Sequence, residues 1–359
     1  MIVLRRKEKR GDDELAWRLL AEAPAVYVAM VGDDPQGAPE PLLRPLHAVV
    51  VGRGDARALA FHGAPAGEKL QGVGRRAVVM AHEVVVDLPS TFSHPEKACP
   101  ATTLYRSASA HGTLRAVTDP ARKAEVLQAL MARYQPEGGY RPITHDDPLY
   151  ASAVRGLAVW SLRPDRVVAK VSLAQHKRAA HRARLVEQLW ARGRRGDVRA
   201  AQAIVDAAPL QPLPELLRGP YDTTLVLAAD RRHVDEAVAL LRDQYWNTTV
   251  DDATLAAAQP ASTAWMVLLH DGNVVATARA CSDGHKSAYV MDVAVDDAWQ
   301  GRGLGRFLIT RLVDHPALRH TRVDLLTRDA GPFYERLGFT PMPWSQPWRW
   351  VGSDHTDYA

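Results

Sequence analysis

The chain has 359 residues, with 45 basic and 41 acidic side chains, a formal net charge of +4 and 47% hydrophobic residues. This length exceeds that of one ordinary hydrophobic core, so the composition predicts a globular protein of two domains. The small charge excess gives no reason to expect nucleic acid as a partner.

The cysteine count and the apolar segments indicate the cellular compartment in which the protein resides. Cys99 and Cys281 are the two cysteines, which excludes a disulfide scaffold or a cysteine-rich metal site and fits a reducing compartment. The first 20 residues are basic but lack the apolar stretch of a secretory signal. Residues 253–270 carry no charge, yet Gln259 and Pro260 argue against a membrane span. We therefore expect a cytoplasmic protein without a membrane partner.

The first half of the chain alternates short apolar stretches with turn residues. A helix is predicted over 12–23 and a second one over 119–134, capped by Asp119 with Pro120 at its first position. Strands are predicted over 25–31, 42–51, 58–62, 77–86, 107–116 and 158–162. Short strands at this spacing predict a β-barrel with a few helices.

Three segments of this half carry recognisable motifs. They read FHGAPAGEKL at 61–70, YRSASAHG at 105–112 and VAKVSLAQHK at 168–177. In these segments residues 1–177 resemble the FMN-binding split-barrel proteins related to pyridoxamine 5'-phosphate oxidase. The resemblance implies bound FMN and, because such barrels bind flavin across a two-fold interface, a homodimer formed through the barrel.

The flavin residues that this resemblance implies supply cations and donors for a phosphate and a polar ring edge. They are His62, Gly63, Lys69, Tyr105, Arg106, Ser107 and Lys170. Glu68 would place a negative charge close to the phosphate, and the basic residues that bind the oxidase's substrate are not recognisable. The resemblance thus implies flavin binding but not pyridoxamine phosphate oxidation.

Haem is an open alternative for the same half, because relatives of this barrel also hold haem or deazaflavin. A haem iron would need an axial ligand, and imidazole is a common one. Four histidines are candidates: His47, His82, His94 and His111.

Residues 178–221 are predicted to form a basic helical linker. The pattern over 178–202 is helical, with Leu185, Leu189 and Trp190 on one face and arginines around it. A basic helix can bind RNA, a membrane surface or an acidic partner. It can also be a solvated linker that packs on its Leu/Trp side, and this is the role that we expect. Prolines at 209, 212, 214 and 220 then indicate a semi-rigid connection.

The second domain is predicted over 222–359. It begins with a strand at 223–229 and a helix at 231–244 capped by Asp230. A hairpin follows, with strands at 265–270 and 274–281, and then a buried strand at 289–295.

A glycine-rich turn connects this last strand to a helix. Gln300, Gly301, Arg302, Gly303, Leu304, Gly305 and Arg306 occupy it in order. Glycines let the backbone approach a ligand closely, and the free amides that open the helix favour an anion. The spacing is neither that of a Rossmann loop nor that of a Walker loop.

The turn resembles the Q/R-x-x-G-x-G/A pyrophosphate loop of the GNAT acyltransferases, and residues 331–339, GPFYERLGF, resemble a second segment of that family. The resemblance implies acetyl-CoA, with its pyrophosphate on the amides of 301–306 and its pantetheine amides on the main chain of Val293 and Val295. It also implies that Tyr334 protonates the departing thiolate.

The acceptor would be a small-molecule amine, which must lose a proton to a base or a water chain. Asp292 is the first candidate for the base, although it could equally be a strand residue that pairs with an arginine. His285 is a second candidate. Four tryptophans could shape the acceptor pocket: Trp246, Trp344, Trp348 and Trp350.

Together these patterns predict a mixed α+β protein with an N-terminal split β-barrel, a helical linker and a C-terminal GNAT α/β domain. Two functional hypotheses follow. In the first, the protein is bifunctional, with an acetyl-CoA-dependent N-acyltransferase and an FMN-dependent redox barrel. In the second, only the acetyltransferase is catalytic, and the barrel is a module for dimerisation or ligand sensing.

Overall fold

A computed structural model describes residues 7–342 of the chain. Its contacts divide the chain into two compact units, and each is described by itself. The first unit takes the described parts of residues 1–88 and 102–176, and the second takes 89–101 and the described parts of 177–359.

The first unit is built on one antiparallel sheet flanked by helices. Its strands are β1 (Arg10–Gly11), β2 (Val26–Asp33), β3 (Pro39–Leu46), β4 (Val49–Val51), β5 (Ala58–Gly63), β6 (Arg76–Leu88), β7 (Thr102–Ala116) and β8 (Ala158–Ser172). Its α-helices are α1 (Asp13–Glu22), α2 (Pro120–Tyr134) and α3 (Ala151–Gly156). The strand order is β3-β2-β6-β7-β8-β5-β4, and β1 pairs with β8.

Alternating side chains put the core of this unit on one face of the sheet. In β2, Val26, Val28 and Met30 are buried, whereas Tyr27 and Val31 between and beyond them are exposed. The cap predicted for the second helix is confirmed, since an Asp119 carboxylate oxygen accepts from the Arg122 amide at 2.8 Å.

The second unit contains a five-stranded sheet of order β13-β12-β11-β10-β9. These strands are β9 (Thr224–Val226), β10 (Ala264–His270), β11 (Asn273–Ser282), β12 (Ser287–Val295) and β13 (Arg322–Asp324). The helices are α4 (Ala179–Arg192), α5 (Asp197–Ala207), α6 (Val234–Leu241), α7 (Asp252–Ala261), α8 (Leu304–Val313) and α9 (Gly331–Glu335). The predicted mixed α+β fold is confirmed.

Residues 178–221, predicted as a separate linker, pack inside the second unit. The single predicted helix is two, because Gly193 takes a left-handed conformation (φ 65°) that ends α4. Leu185, Leu189 and Trp190 are buried as the pattern predicted. The Trp190 indole also donates to Asp314 at 3.1 Å, which fixes α4 beside the end of α8.

Within residues 7–342, no helix has both the length and the apolar character needed to cross a membrane. The uncharged stretch that begins at residue 253 is divided between α7 and the buried strand β10.

Candidate functional site

A bulge interrupts the pairing of β11 with β12 in the second unit. Arg279 pairs with Met291 and Thr277 pairs with Ala294, so Asp292 and its neighbour Val293 share one residue of the partner strand. Asp292 has φ 52°, a left-handed conformation that is uncommon for a residue with a side chain. The strand therefore turns at this point.

The same region of β12 borders a cavity of about 630 Å³. Parallel pairing between β12 and β13 ends at Tyr289 with Asp324, after three residue pairs, and the two strands then separate. Tyr334 and Asp292 both line the cavity, together with Trp246. The structure thus brings together two residues that the sequence predicted as catalytic.

Tyr334 lies on α9 and is partly buried. Its ring packs edge-on against Phe333 at 5.0 Å and Phe339 at 5.6 Å between centroids. Burial, and to a lesser extent the neighbouring Tyr245, raises the pKa of the Tyr334 phenol above its usual value of 10.0. The phenol therefore keeps its proton at neutral pH and can donate it in the cavity.

The Asp292 carboxylate is buried and already holds three donors. Its Oδ1 accepts from the Trp246 indole at 3.2 Å. Its Oδ2 accepts from Gln259 Nε2 at 3.2 Å and from Arg279 Nε at 2.5 Å. The arginine pairing that the sequence left open is therefore present, and a role as base would have to compete with these contacts.

His285, the second candidate for the base, is far from this cavity. It is exposed in the turn before β12, and the seven residues to Asp292 correspond to roughly 20 Å of extended strand. It lines a different cavity. Trp344, Trp348 and Trp350 lie outside the described residues.

The glycine-rich turn begins five residues after Val295, the end of β12, and leads into α8 at Leu304. Gly301 (φ 73°) and Gly303 (φ 81°) are left-handed, a conformation that glycine adopts without strain. Within residues 7–342, the amides of 301–306 have no hydrogen-bond acceptor. Gln300 Nε2 donates to Asp297 at 2.7 Å and steadies the turn. The first turn of α8 therefore presents open donors.

In the first unit, His62, Gly63 and Lys69 form one group at the end of β5. A Cβ at Gly63 would lie 2.9 Å from Lys69 Nζ and 2.9 Å from the Trp160 ring, so both pack directly on the glycine. Burial, with the charges of His47 and Lys69, lowers the pKa of His62, which is therefore a neutral imidazole at pH 7.

The negative charge expected at Glu68 is neutralised, because Glu68 forms an ion pair with Arg44 of β3. No sequence pattern predicts this role for Arg44, since the pairing joins residues 24 positions apart.

Tyr105, Arg106, Ser107 and Lys170 form a second group. Ser107 pairs with Lys170 across β7 and β8, and Lys170 Nζ lies 5.3 Å from the centre of the Tyr105 ring. Arg106 donates to Glu83 at 3.0 Å, so its charge is partly satisfied within the sheet.

The two groups lie at opposite ends of β8. His62 pairs with Val159 near the start of that strand, whereas Lys170 is close to its end. Eleven residues of strand correspond to a chain path of at most roughly 35 Å, so the two groups are separated along the sheet. Within one chain, the predicted flavin residues therefore form two groups at different ends of β8.

The four histidines considered for haem are distributed over both units. His94 belongs to the second unit, where its Nδ1 accepts from the amides of Glu96 and Lys97. His47 stacks on the Tyr134 ring at 4.5 Å. His82 lies 6.1 Å from the Tyr27 ring, and His111 lies 3.1 Å from the Ser109 hydroxyl. Each of the four histidines therefore has a polar or aromatic contact within the protein.

Two of the three donors to Asp292, Arg279 and Gln259, are not among the residues that the sequence patterns predict for the site. Arg279 had a signal, since it is a charged residue between buried Ala278 and Ala280 in an apolar strand. Gln259, which is fully buried in α7, had none beyond its place in an alanine-rich helix.

Two family models match the chain. Pyridoxamine 5'-phosphate oxidase matches residues 12–171, and the acetyltransferase (GNAT) domain matches residues 261–341. A curated relative, the uncharacterised N-acetyltransferase ycf52 of Pyropia yezoensis, is 35% identical over 77 residues. The match covers 20% of this chain and 43% of that relative, so the chain spans less than half of the relative's length.

Solved structures resemble each part of the chain. The flavocytochrome Anf3 of Azotobacter vinelandii is 21% identical over 47% of this chain and 72% of its own, with a TM-score of 0.36. The FAD and haem binding protein of Mycobacterium smegmatis is 24% identical over 46% and 73%, with a TM-score of 0.35. A GNAT-family acetyltransferase of Streptococcus pneumoniae TIGR4 is 20% identical over 37% and 99%, with a TM-score of 0.31.

The matched ranges fall on the two sheets described above, and the GNAT range includes the bulge of β12, the glycine-rich turn and Tyr334. The chain therefore joins a pyridoxamine 5'-phosphate oxidase-like domain at residues 12–171 to a GNAT acetyltransferase domain at residues 261–341.

Proposed function

We propose that the second unit transfers an acetyl group from acetyl-CoA to the amine of a small molecule. The observation that carries this proposal is the order of three features along the chain. The bulge of β12 borders the cavity that Tyr334 lines, and the open amides of 301–306 begin six residues after the end of that strand. A thioester carrier would place its thioester at the cavity and its diphosphate at the open amides, with the connecting arm along β12 between them.

The amides of 301–306 would bind the pyrophosphate, and the main chain of Val293 and Val295 would bind the pantetheine amides. The acceptor nitrogen attacks the thioester carbonyl, and the C–S bond then breaks. Tyr334 gives its proton to the leaving thiolate, for which its raised pKa is suited, since the phenol is protonated before the step. The amine proton leaves through water or a carboxylate.

Two measurements test this function. Calorimetry should show one CoA molecule bound per chain, and release of free thiol from acetyl-CoA should depend on an added amine from a panel of amino acids, polyamines and aminoglycosides. Absence of heat on addition of CoA would overturn the proposal for the second unit.

We also propose that the first unit binds FMN between two copies of the chain. The separation of the His62 group from the Lys170 group supports this arrangement, because a two-fold pair could bring one group of each chain together. The outer face of β2, β3 and β6 also exposes apolar side chains, which a second copy could cover: Tyr27, Val31, Leu43, Met80 and Val84. Bound FMN would supply redox chemistry, and the residues of this chain would hold its phosphate and ring edge.

The bifunctional hypothesis and the acetyltransferase-only hypothesis differ in one observable. A yellow dimer whose flavin absorbance is bleached by a reduced nicotinamide supports a redox role for the first unit. A colourless protein that still acetylates amines supports a first unit that serves dimerisation or ligand sensing.

A further inference from the structure

A cavity of about 870 Å³ lies in the second unit near the end of α8. It is lined by the turn between α4 and α5, the start of β10, the turn between β11 and β12, and residues 315–317. The glycine-rich turn is at the other end of α8, and ten helical residues span about 15 Å. This cavity is therefore separate from the proposed acetyl-CoA site.

The turn between α4 and α5 is fixed in place. A Cβ at Gly193 would lie 2.8 Å from Pro316, so the turn packs directly on the segment that follows α8. Asp197 is fully buried, and its carboxylate accepts from Arg192 at 2.5 Å and from the Arg194 amide at 2.8 Å. The arginines of this turn are thus carried by an ordered backbone.

The residues that line the cavity include more basic than acidic side chains. Arg194, Arg195 and Arg199 line it, and none forms an ion pair within residues 7–342. Asp283 is the carboxylate among the lining residues, and it accepts from the backbone amides of its own turn at 2.7 to 3.1 Å. The cavity is therefore lined by three exposed arginines and by one carboxylate whose oxygen already accepts backbone hydrogen bonds.

His315 adds a buried donor to the same cavity. It is 5% exposed, and its Nδ1 accepts from the Ala317 amide at 3.1 Å. Burial lowers the pKa of His315 to about 4, so the ring is neutral at pH 7. A neutral ring with Nδ1 as acceptor carries its proton on Nε2, for which residues 7–342 supply no acceptor. The Nε2–H is therefore available to an anionic ligand.

We propose that this cavity binds a small polyanion with at least two phosphate or carboxylate groups. Its volume is in the range of small-molecule sites, and its concave shape argues against an extended macromolecule. Guanidinium groups bind phosphate and carboxylate oxygens with paired N–H donors, and the His315 Nε2–H supplies a further one.

The test is a calorimetric titration of the full-length chain at low ionic strength with inorganic pyrophosphate, and separately with citrate. The two ligands distinguish phosphate from carboxylate preference. In the first arm, saturating CoA is present, so that the amides of 301–306 are occupied. In the second arm, the titration is repeated without CoA on a Gly303→Val variant, in which those amides are blocked by the new side chain. Because the second arm contains no CoA, its result does not depend on whether the chain binds CoA.

The variant that removes the site is Arg195→Gln/Arg199→Gln. Its matched control is Arg178→Gln/Arg231→Gln, which removes two exposed arginines of the same unit outside the cavity and gives the same net charge. We expect one polyanion per chain in the parent and the control, and at least ten-fold weaker binding in the cavity variant. Equal affinities in the two variants, or binding of an RNA oligonucleotide without binding of either small anion, would overturn the proposal.

Discussion

Arg279 and Asp292 form a buried ion pair across the bulge of β12, with Nε and Oδ2 2.5 Å apart and side chains 14% and 5% exposed. Further hydrogen bonds surround the pair, since Arg279 Nη1 donates to the Ser262 hydroxyl at 3.2 Å and the Trp246 indole donates to Asp292. The contacts connect β11 and the segments around α6 and α7 to the one residue of β12 with a left-handed backbone. The pair therefore positions the bulge against which the thioester is expected to lie.

Replacing one partner of this pair should cost stability. In Asp292→Asn, Arg279 is left as a buried charge without its counter-ion, and we expect a loss of about 3 kcal/mol in the free energy of unfolding. Urea unfolding of Asp292→Asn, Arg279→Gln and the double variant measures the coupling. Additive losses in the double variant would contradict a direct pair.

The same variant separates the two roles considered for Asp292. If the carboxylate positions the bulge, Asp292→Asn should mainly weaken CoA binding, and the acid limb of the pH–rate profile should remain. If it is the base, the turnover number should fall with CoA affinity unchanged, and that limb should disappear.

Tyr334→Phe should lower the turnover number about 100-fold and leave the KM for acetyl-CoA within about two-fold, since the phenol acts only when the thiolate leaves. The pKa of Tyr334 is raised above 10.0, so the active, protonated form persists to that pH and is lost as the pH rises through the folded pKa. The alkaline limb of the parent's pH–rate profile should therefore begin only above pH 10. A variant that keeps the parental turnover number would contradict the acid role.

Gly303→Val should weaken CoA binding at least ten-fold, because a β-branched residue at φ 81° is strained and places a side chain at the open amides. Gly272→Val is the matched control, since Gly272 has φ 84°, is open on its Cβ side and lies in the hairpin turn between β10 and β11. Calorimetry with CoA should show a loss for Gly303→Val alone. A similar loss in both variants would indicate general strain instead.

Acidification should destabilise the second unit through His315. Its folded pKa of about 4 is below the ordinary 6.5, so the unfolded chain binds a proton more readily between these values. The stability that this histidine contributes is complete above pH 6.5 and is lost as the pH falls toward 4, by about 3 kcal/mol in total. Urea unfolding at pH 7 and pH 4.5 measures the loss, which His315→Gln should reduce; an equal loss in that variant would contradict the assignment.

Mixed dimers test the two-chain flavin site. Lys69→Gln and Lys170→Gln should each purify with little flavin, because each removes a cation from one of the two groups. A dimer assembled from one chain of each variant has one site with both lysines, so it should recover about half of the parental flavin absorbance. Lys286→Gln, an exposed lysine of the second unit, is the control and should keep full absorbance. No recovery in the mixed dimer would exclude a site shared in this way.

The features that the sequence predicted best are local ones. The glycine-rich turn and Tyr334 are each recognisable within ten residues, because backbone conformation and neighbouring side chains define them. The pairing of Arg279 with Asp292 depends on strand register and a bulge, which no short segment determines. The separation of His62 from Lys170 along β8 is likewise a result of sheet order, as is the packing of residues 178–221 inside the second unit.

The early end of the pairing between β12 and β13 has a consequence for selectivity. Beyond Tyr289, within residues 7–342, one edge of β12 has no strand beside it, and residues 290–293 of that strand line the cavity. An extended ligand arm with two amides can dock there as a substitute strand, through bonds that are the same for every side chain. Recognition of such an arm would depend on backbone shape. Replacing Val293 by another β-branched residue should therefore cost little affinity for the arm, whereas closing the gap between β12 and β13 should abolish its binding.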